Sequence, residues 1–129
     1  MPLVRIDVQT GRTPAELRQL ADVVQEVMLD VFAAPPRDRY QILTEHPVGQ
    51  IIAEDTGLGL ERSDGVTVIQ IFQQGRSTEQ KQAAYAALAE RLETECGVRP
   101  ADLIVSVTAN ESADWSFGLG RAQFLTGEL

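Results

Sequence analysis

The sequence predicts an α/β fold: tandem β-α-β repeats forming a four-stranded mixed sheet with two helices on one face. Three observations predict it. The chain has 129 residues, 43% of them apolar, enough for one compact core and too few for two conventional domains. A repeat runs through it, since Gln9, Gly11, Arg12 and Thr13 return in order as Gln73, Gly75, Arg76 and Ser77. The interval of that repeat also relates Val4 to Val68, Pro36 to Pro100, Asp38 to Asp102 and Thr44 to Thr108, so whole units recur rather than one tetrapeptide. Each unit places a β-branched run before a capped amphipathic segment.

In chain order, Leu3 to Val8 is the first strand. Thr13-Pro14-Ala15-Glu16 is a capping box with proline at the first helical position. Leu17, Leu20, Ala21, Val24, Val27, Met28 and Val31 follow at helical spacing, and Ala34-Pro35-Pro36 stops the helix. A second strand opens at Asp38, and the stretch from Gln41 to Gly65 reads as extended segments and turns. Val66 to Gln73 is the third strand. Ser77 with Gln80 caps a second helix through Tyr85, Leu88 and Leu92, which Gly97 and Pro100 end before Leu103 to Val107 returns as a strand. The domain thus spans 1–129, with repeats at about 2–46 and 66–109 and an unrepeated segment at 110–129.

Strands joined by a crossover helix lie parallel, and right-handed crossovers related by a two-fold put both helices on one face. The other face is left bare. Runs such as Val66-Thr67-Val68-Ile69-Gln70-Ile71-Phe72 carry apolar groups to both sides, so this face is expected to be covered by other subunits of a homo-oligomer.

Composition narrows the function. No segment is long enough to span a bilayer and no secretory signal pattern opens the chain, so the cytoplasm is the expected address and no membrane partner is expected. Cys96 is the single cysteine and His46 the single histidine, which leaves no Cys/His cluster for a metal. A net charge of −8 disfavours nucleic acid as a partner. A small substrate is expected.

The repeat geometry brings particular residues together. Pro2 opens strand one, Asp38 opens the parallel strand beside it, and if strand three runs antiparallel to strand one, Arg76 arrives at the same edge. In the other copy Arg12 and Asp102 have no amine between them, because Val66 stands where Pro2 would be. Removal of Met1, the usual fate of methionine before proline, leaves Pro2 a secondary amine that is base, acid or nucleophile according to its neighbours. An α-amine titrates near roughly 7.7 to 8.0 when unperturbed.

These residues resemble a family. Pro2-Leu3, Gly11-Arg12-Thr13, Asp38-Arg39-Tyr40-Gln41, Glu54-Asp55-Thr56-Gly57-Leu58-Gly59, and Asp114-Trp115-Ser116-Phe117-Gly118 with Arg121 and Phe124-Leu125-Thr126-Gly127 resemble the malonate semialdehyde decarboxylases of the tautomerase superfamily. The resemblance runs from Pro2 to Leu129 and implies a homotrimer that needs no metal or organic cofactor. It implies that protonated Pro2 and Asp38 act near the substrate carbonyl while arginines after the third strand hold its carboxylate. Arg76 matches one of those arginines. Gln74 stands at the other, with Gly75 where the family has proline, so the anion clamp keeps one charge and one hydrogen-bond donor.

Loss of carbon dioxide from a 3-oxo acid leaves an enolate, which the Pro2 ammonium, or an iminium formed from it, would stabilise. Trp115, Phe117, Phe124 and Leu125 would form an apolar wall that desolvates the departing carboxylate. Two other readings stand beside this one: a keto-enol tautomerase or hydratase acting on 2-oxo or unsaturated acids with the same proline, and a non-enzymatic oligomeric binding module if Met1 is retained. Asp38 also reads as a purely structural turn residue, because Asp102 occupies the same Pro-x-Asp context. Arg12 is expected at a surface or interface, His46 in a loop, Cys96 in packing, and Asp55 to Gly59 in a turn.

Overall fold

The computed structural model describes residues 2–129, so the fate of Met1 lies outside the described residues. Strand β1 (Leu3–Gln9) leads into helix α1 (Pro14–Asp30). The predicted capping box is formed: Glu16 N–H donates to Thr13 Oγ1 at 3.2 Å and Thr13 N–H to Glu16 Oε1 at 3.0 Å. Strand β2 (Tyr40–His46), strand β3 (Thr67–Gln74), helix α2 (Thr78–Cys96) and strand β4 (Leu103–Asn110) follow. Ser77 and Gln80 repeat the capping box on α2, and Gly97, at φ 68°, supplies the left-handed turn that ends it.

The sheet order is β2-β1-β3-β4, with both outer pairs parallel and the central β1–β3 pair antiparallel. Inward residues of the central strands, Val4, Ile6, Val8, Ile69 and Ile71, pack against Leu20, Val24, Val27 and Met28 of α1 and Ala84, Leu88 and Leu92 of α2. All of these are essentially inaccessible to water. At about 25 cal/mol per Å² of apolar surface removed from water, this layer is the main source of stability. On the opposite face Ile42, at 44% exposure, and half-buried Val68, Phe72 and Ile104 remain open over most of the sheet.

Three details differ from the sequence reading. Strand β2 opens at Tyr40 rather than Asp38, which lies in the turn before it. Strand β4 runs on to Asn110, past Val107, because β3 offers pairing partners as far as Gln74. His46 is the last residue of β2 rather than part of a loop, and its Nε2 lies 2.7 Å from Asp7 Oδ1. The parallel register sets it diagonal to Asp7, and Pro47, which has no N–H, ends the ladder immediately afterwards. Between β2 and β3 the chain runs through turns, one of them closed by Asp55, whose carboxylate accepts from the N–H groups of Gly57 and Gly59.

Candidate active site

The edge formed by the start of β1, the approach to β2 and the end of β3 gathers the polar residues of interest. Pro2, buried, directly precedes β1. Leu3 pairs with Tyr40, so the turn carrying Asp38 lies beside Pro2. That turn is fixed by the double proline, by Asp38 N–H donating to the Pro35 carbonyl at 3.1 Å, and by Arg37 in the left-handed region at φ 72°.

Asp38 is 7% exposed, and its Oδ2 has no hydrogen-bond partner among the described residues. Burial pushes its carboxyl above the ordinary carboxylate range. Its repeat mate Asp102, 1% exposed, is fully engaged: it accepts from the Ser63 backbone N–H and from Ser63 Oγ, and Arg99 Nη1 lies 3.6 Å away. The shared Pro-x-Asp context therefore yields two different carboxylates. One staples a turn and the other has an oxygen without a partner among the described residues.

Arg76 reaches the same edge from the loop after β3. Its Nε donates to the Phe32 carbonyl at 2.8 Å and its Nη1 to the Gln74 carbonyl at 2.7 Å, while its guanidinium carbon sits 5.7 Å from the Phe32 ring centroid. These contacts anchor the side chain at the end of α1 and leave its charge without an acidic partner among the described ion pairs. Gln74 is differently employed. Its Nε2 donates to Ser112 Oγ at 2.7 Å, tying β3 to the unrepeated C-terminal segment.

That segment builds an aromatic cluster over the open sheet face. Phe117 stacks on Tyr40 at 5.5 Å and on Trp115 at 5.3 Å between ring centroids, and meets Phe124 edge-on at 5.5 Å. Trp115 Nε1 donates to Asn110 Oδ1 at 2.8 Å, which fixes the indole at the end of β4. A cleft of about 510 Å³ lies beneath, lined by Leu3, Tyr40, Phe72, Asn110, Trp115 and Phe117 among others. Leu125, 63% exposed, stands outside it.

The predicted site residues thus fall into two groups. Pro2 and Asp38 are buried at the edge, and Arg76, in the loop after β3, is held on Phe32 and Gln74 at that end of the sheet, whereas Trp115 and Phe117 line the cleft on the open face and Phe124 meets Phe117 edge-on. The cleft itself touches none of Pro2, Asp38, Gln74 and Arg76. Leu3 and Phe72 lie between the groups, each next in the chain to a residue of the polar edge, so the two halves adjoin at the end of the sheet. Sequence reasoning missed Tyr40 and Asn110 as lining residues. Tyr40 was within reach, since it opens β2 two residues after Asp38; Asn110 depends on β4 running longer than its apolar stretch.

The chain, a tandem β-α-β sheet with a proline at the start of its first strand, belongs to the tautomerase family. Two family models, both described as tautomerase enzyme, match residues 2–61 and 38–118. The probable tautomerase YrdN of Bacillus subtilis (strain 168) is 51% identical over 129 residues, covering 100% of both chains. Among solved structures, a malonate semialdehyde decarboxylase described for its decarboxylase and hydratase activities superposes with a TM-score of 0.94 at 45% identity, over 98% of each chain. The malonate semialdehyde decarboxylase FG41, inhibited by 3-bromopropiolate, gives the same TM-score of 0.94 at 47% identity, over 98% of this chain and 97% of that one. No helix among the described residues is long and apolar enough to cross a membrane.

Proposed function

We propose that this tautomerase decarboxylates malonate semialdehyde or a similar 3-oxo acid, using the amine of Pro2 freed by hydrolysis of the Met1–Pro2 bond. The observation that carries the reading is the contrast between Asp38 and Asp102: the carboxylate next to Pro2 in the sheet edge is buried with an oxygen that has no partner among the described residues, whereas its repeat mate is consumed by Ser63. An unpartnered buried acceptor beside an amine is an arrangement that holds the amine protonated. The likeness to two malonate semialdehyde decarboxylases along nearly the whole chain supports the substrate.

In this mechanism the Pro2 ammonium donates to the aldehyde oxygen and Asp38 keeps that ammonium charged. Arg76 pairs with the carboxylate through the guanidinium edge not used by backbone carbonyls, and Gln74, bound to Ser112, shapes the end of the clamp. The bond between the carboxylate carbon and C2 breaks, its electron pair moves toward the carbonyl as an enolate, and carbon dioxide leaves. A proton taken up at C2 completes acetaldehyde. The aromatic cleft beside the clamp lowers the local polarity and favours neutral carbon dioxide over the carboxylate. We propose further that the open sheet face is covered in a homotrimer, which brings neighbouring chains to the sheet edge and closes the shallow cleft.

A second reading is favoured by the 51% identity to a probable tautomerase over the whole chain: proton transfer between keto and enol forms of a 2-oxo acid, with Pro2 neutral and acting as base. The two separate on protein whose intact mass lacks Met1. Carbon dioxide release from malonate semialdehyde that outpaces ketonisation of phenylenolpyruvate supports the decarboxylase; ketonisation without carbon dioxide release supports the second reading and rejects the first.

A further inference from the structure

Among the described residues, Gln73 is a core residue whose whole side-chain amide lacks an internal partner. It is completely buried, at 0% exposure, and neither its Nε2 nor its Oε1 has a hydrogen-bond partner among the described residues. An amide buried in that state is destabilising, and such groups are retained where something outside the observed contacts satisfies them. Its mate in the sequence repeat, Gln9, follows inward-facing Val8 and so is out of step with the inward series that Gln73 continues. Gln9 Nε2 donates to the Asp64 carbonyl at 3.0 Å and its Oε1 accepts from the Gly49 N–H at 2.6 Å, so the first copy of this glutamine staples the loop between β2 and β3. The second copy staples nothing.

Its place in the sheet says what it faces. Leu3 pairs with Phe72 in the antiparallel β1–β3 register, so the next pair outward sets Gln73 across from Pro2. Both residues are buried and alternate with cleft-lining neighbours, which puts their side chains on the helix-covered side, where Asp38 also is buried. In the other copy the residue across from Gln9 is Val66, an apolar group that asks for no partner. Three polar atoms at one edge are therefore left over: Gln73 Oε1, Gln73 Nε2 and Asp38 Oδ2. While Met1 is attached, the Pro2 nitrogen is a tertiary amide with no hydrogen to give. Once Pro2 is the terminus, its protonated form has two N–H donors at that spot.

We infer that Gln73 is a positioning residue for the amine: its Oε1 accepts one N–H of the Pro2 ammonium, its Nε2 donates to the neighbouring Asp38 carboxylate, and the second N–H of Pro2 stays free for the aldehyde oxygen. This rests on the reading of Pro2 as the working amine. It adds a residue that holds the ring nitrogen in place and favours its charged form without touching substrate, and it makes removal of Met1 the event that satisfies the buried amide. The charged groups at this edge are Asp38, from the turn before β2, and Arg76, from the loop after β3; Gln73 contributes orientation without charge.

The test is an ¹⁵N-proline NMR titration of the processed chain, its mass first shown to lack Met1, alongside Gln73→Met and Gln73→Glu. Gln73→Met removes the acceptor and is expected to lower the Pro2 pKa; it is also expected to cut kcat about tenfold, the loss of one hydrogen bond to a charged group, with KM changed less than about twofold. Gln73→Glu is expected to raise the pKa. The control Gln9→Met removes a buried amide at the far edge and is expected to leave the Pro2 titration in place. In the unsubstituted protein the Gln73 side-chain amide resonances are expected to follow the same titration, a readout that needs no variant to fold. A Pro2 titration that is the same with and without the Gln73 amide, or Gln73 resonances indifferent to it, overturns the inference. Because the titration is read without substrate, failure of the proposed reaction would show separately, as absent turnover in a chain whose Pro2 still responds to Gln73.

Discussion

Replacing Asp38 and Asp102 in turn by alanine tests whether the two repeat copies have separated structural from chemical duty. Asp102 accepts from the Ser63 N–H at 2.6 Å and from Ser63 Oγ, with Arg99 at 3.6 Å. Hydrogen bonds to a charged group contribute roughly 1.5–3 kcal/mol each, and part of the Ser63 loss is recovered by water, so Asp102→Ala is expected to cost about 3 kcal/mol. In the chain that keeps Met1, where no Pro2 amine is present, Asp38 offers no comparable contact through Oδ2 among the described residues and bears a desolvation penalty, so Asp38→Ala in that chain is expected to stay within about 1 kcal/mol of the parent. Turnover of the processed chain should divide the other way, falling at least tenfold in Asp38→Ala and remaining near the parent value in whatever fraction of Asp102→Ala is folded. Urea unfolding at a fixed protein concentration reads the first pair of numbers, because assembly would make stability depend on concentration. Equal destabilisation by the two substitutions would refute the reasoning, since Asp38 would then be as structural as its mate.

Further outcomes follow from the same contacts. The folded Asp38 carboxyl titrates above its unfolded value, so its contribution to stability is lost as pH rises from the unfolded pKa through the folded one; Asp38→Asn should flatten that part of the stability curve, measured by urea midpoints across the acid range. Arg76→Ala is expected to reduce kcat/KM at least tenfold through loss of the carboxylate's ion pair, whereas Gln74→Arg, which adds a second cation, should lower KM; steady-state kinetics distinguishes them. Phe117→Ala removes three ring contacts and is expected to cost about 1–3 kcal/mol and to open the cleft, visible as a red-shifted Trp115 emission and a lower urea midpoint.

The repeat made most of the fold legible, because caps and apolar spacing act locally. Thr13 with Glu16, Ser77 with Gln80, and Gly97 each mark a helix end whose chemistry is complete within a few residues. That Pro2, the turn carrying Asp38 and the end of β3 share one sheet edge followed from strand order, which the repeat and the handedness of crossovers determine. The length of β4 and the place of His46 did not, as both are set by a neighbouring strand rather than by local pattern. Differences between the two copies were legible only where the residue type changes, as Pro2 against Val66. Asp38 and Asp102, or Gln73 and Gln9, are the same letters, and their roles diverge through the partners Ser63, Asp64 and Gly49, which belong to the loop and turns between the repeats.

The central claim is that the Pro2 amine performs the reaction. Carbon dioxide release from malonate semialdehyde by the processed protein, measured beside Pro2→Ala of equal stability, tests it most directly. The account predicts release by the parent and a loss of at least a hundredfold in the variant; release that survives the substitution would contradict it.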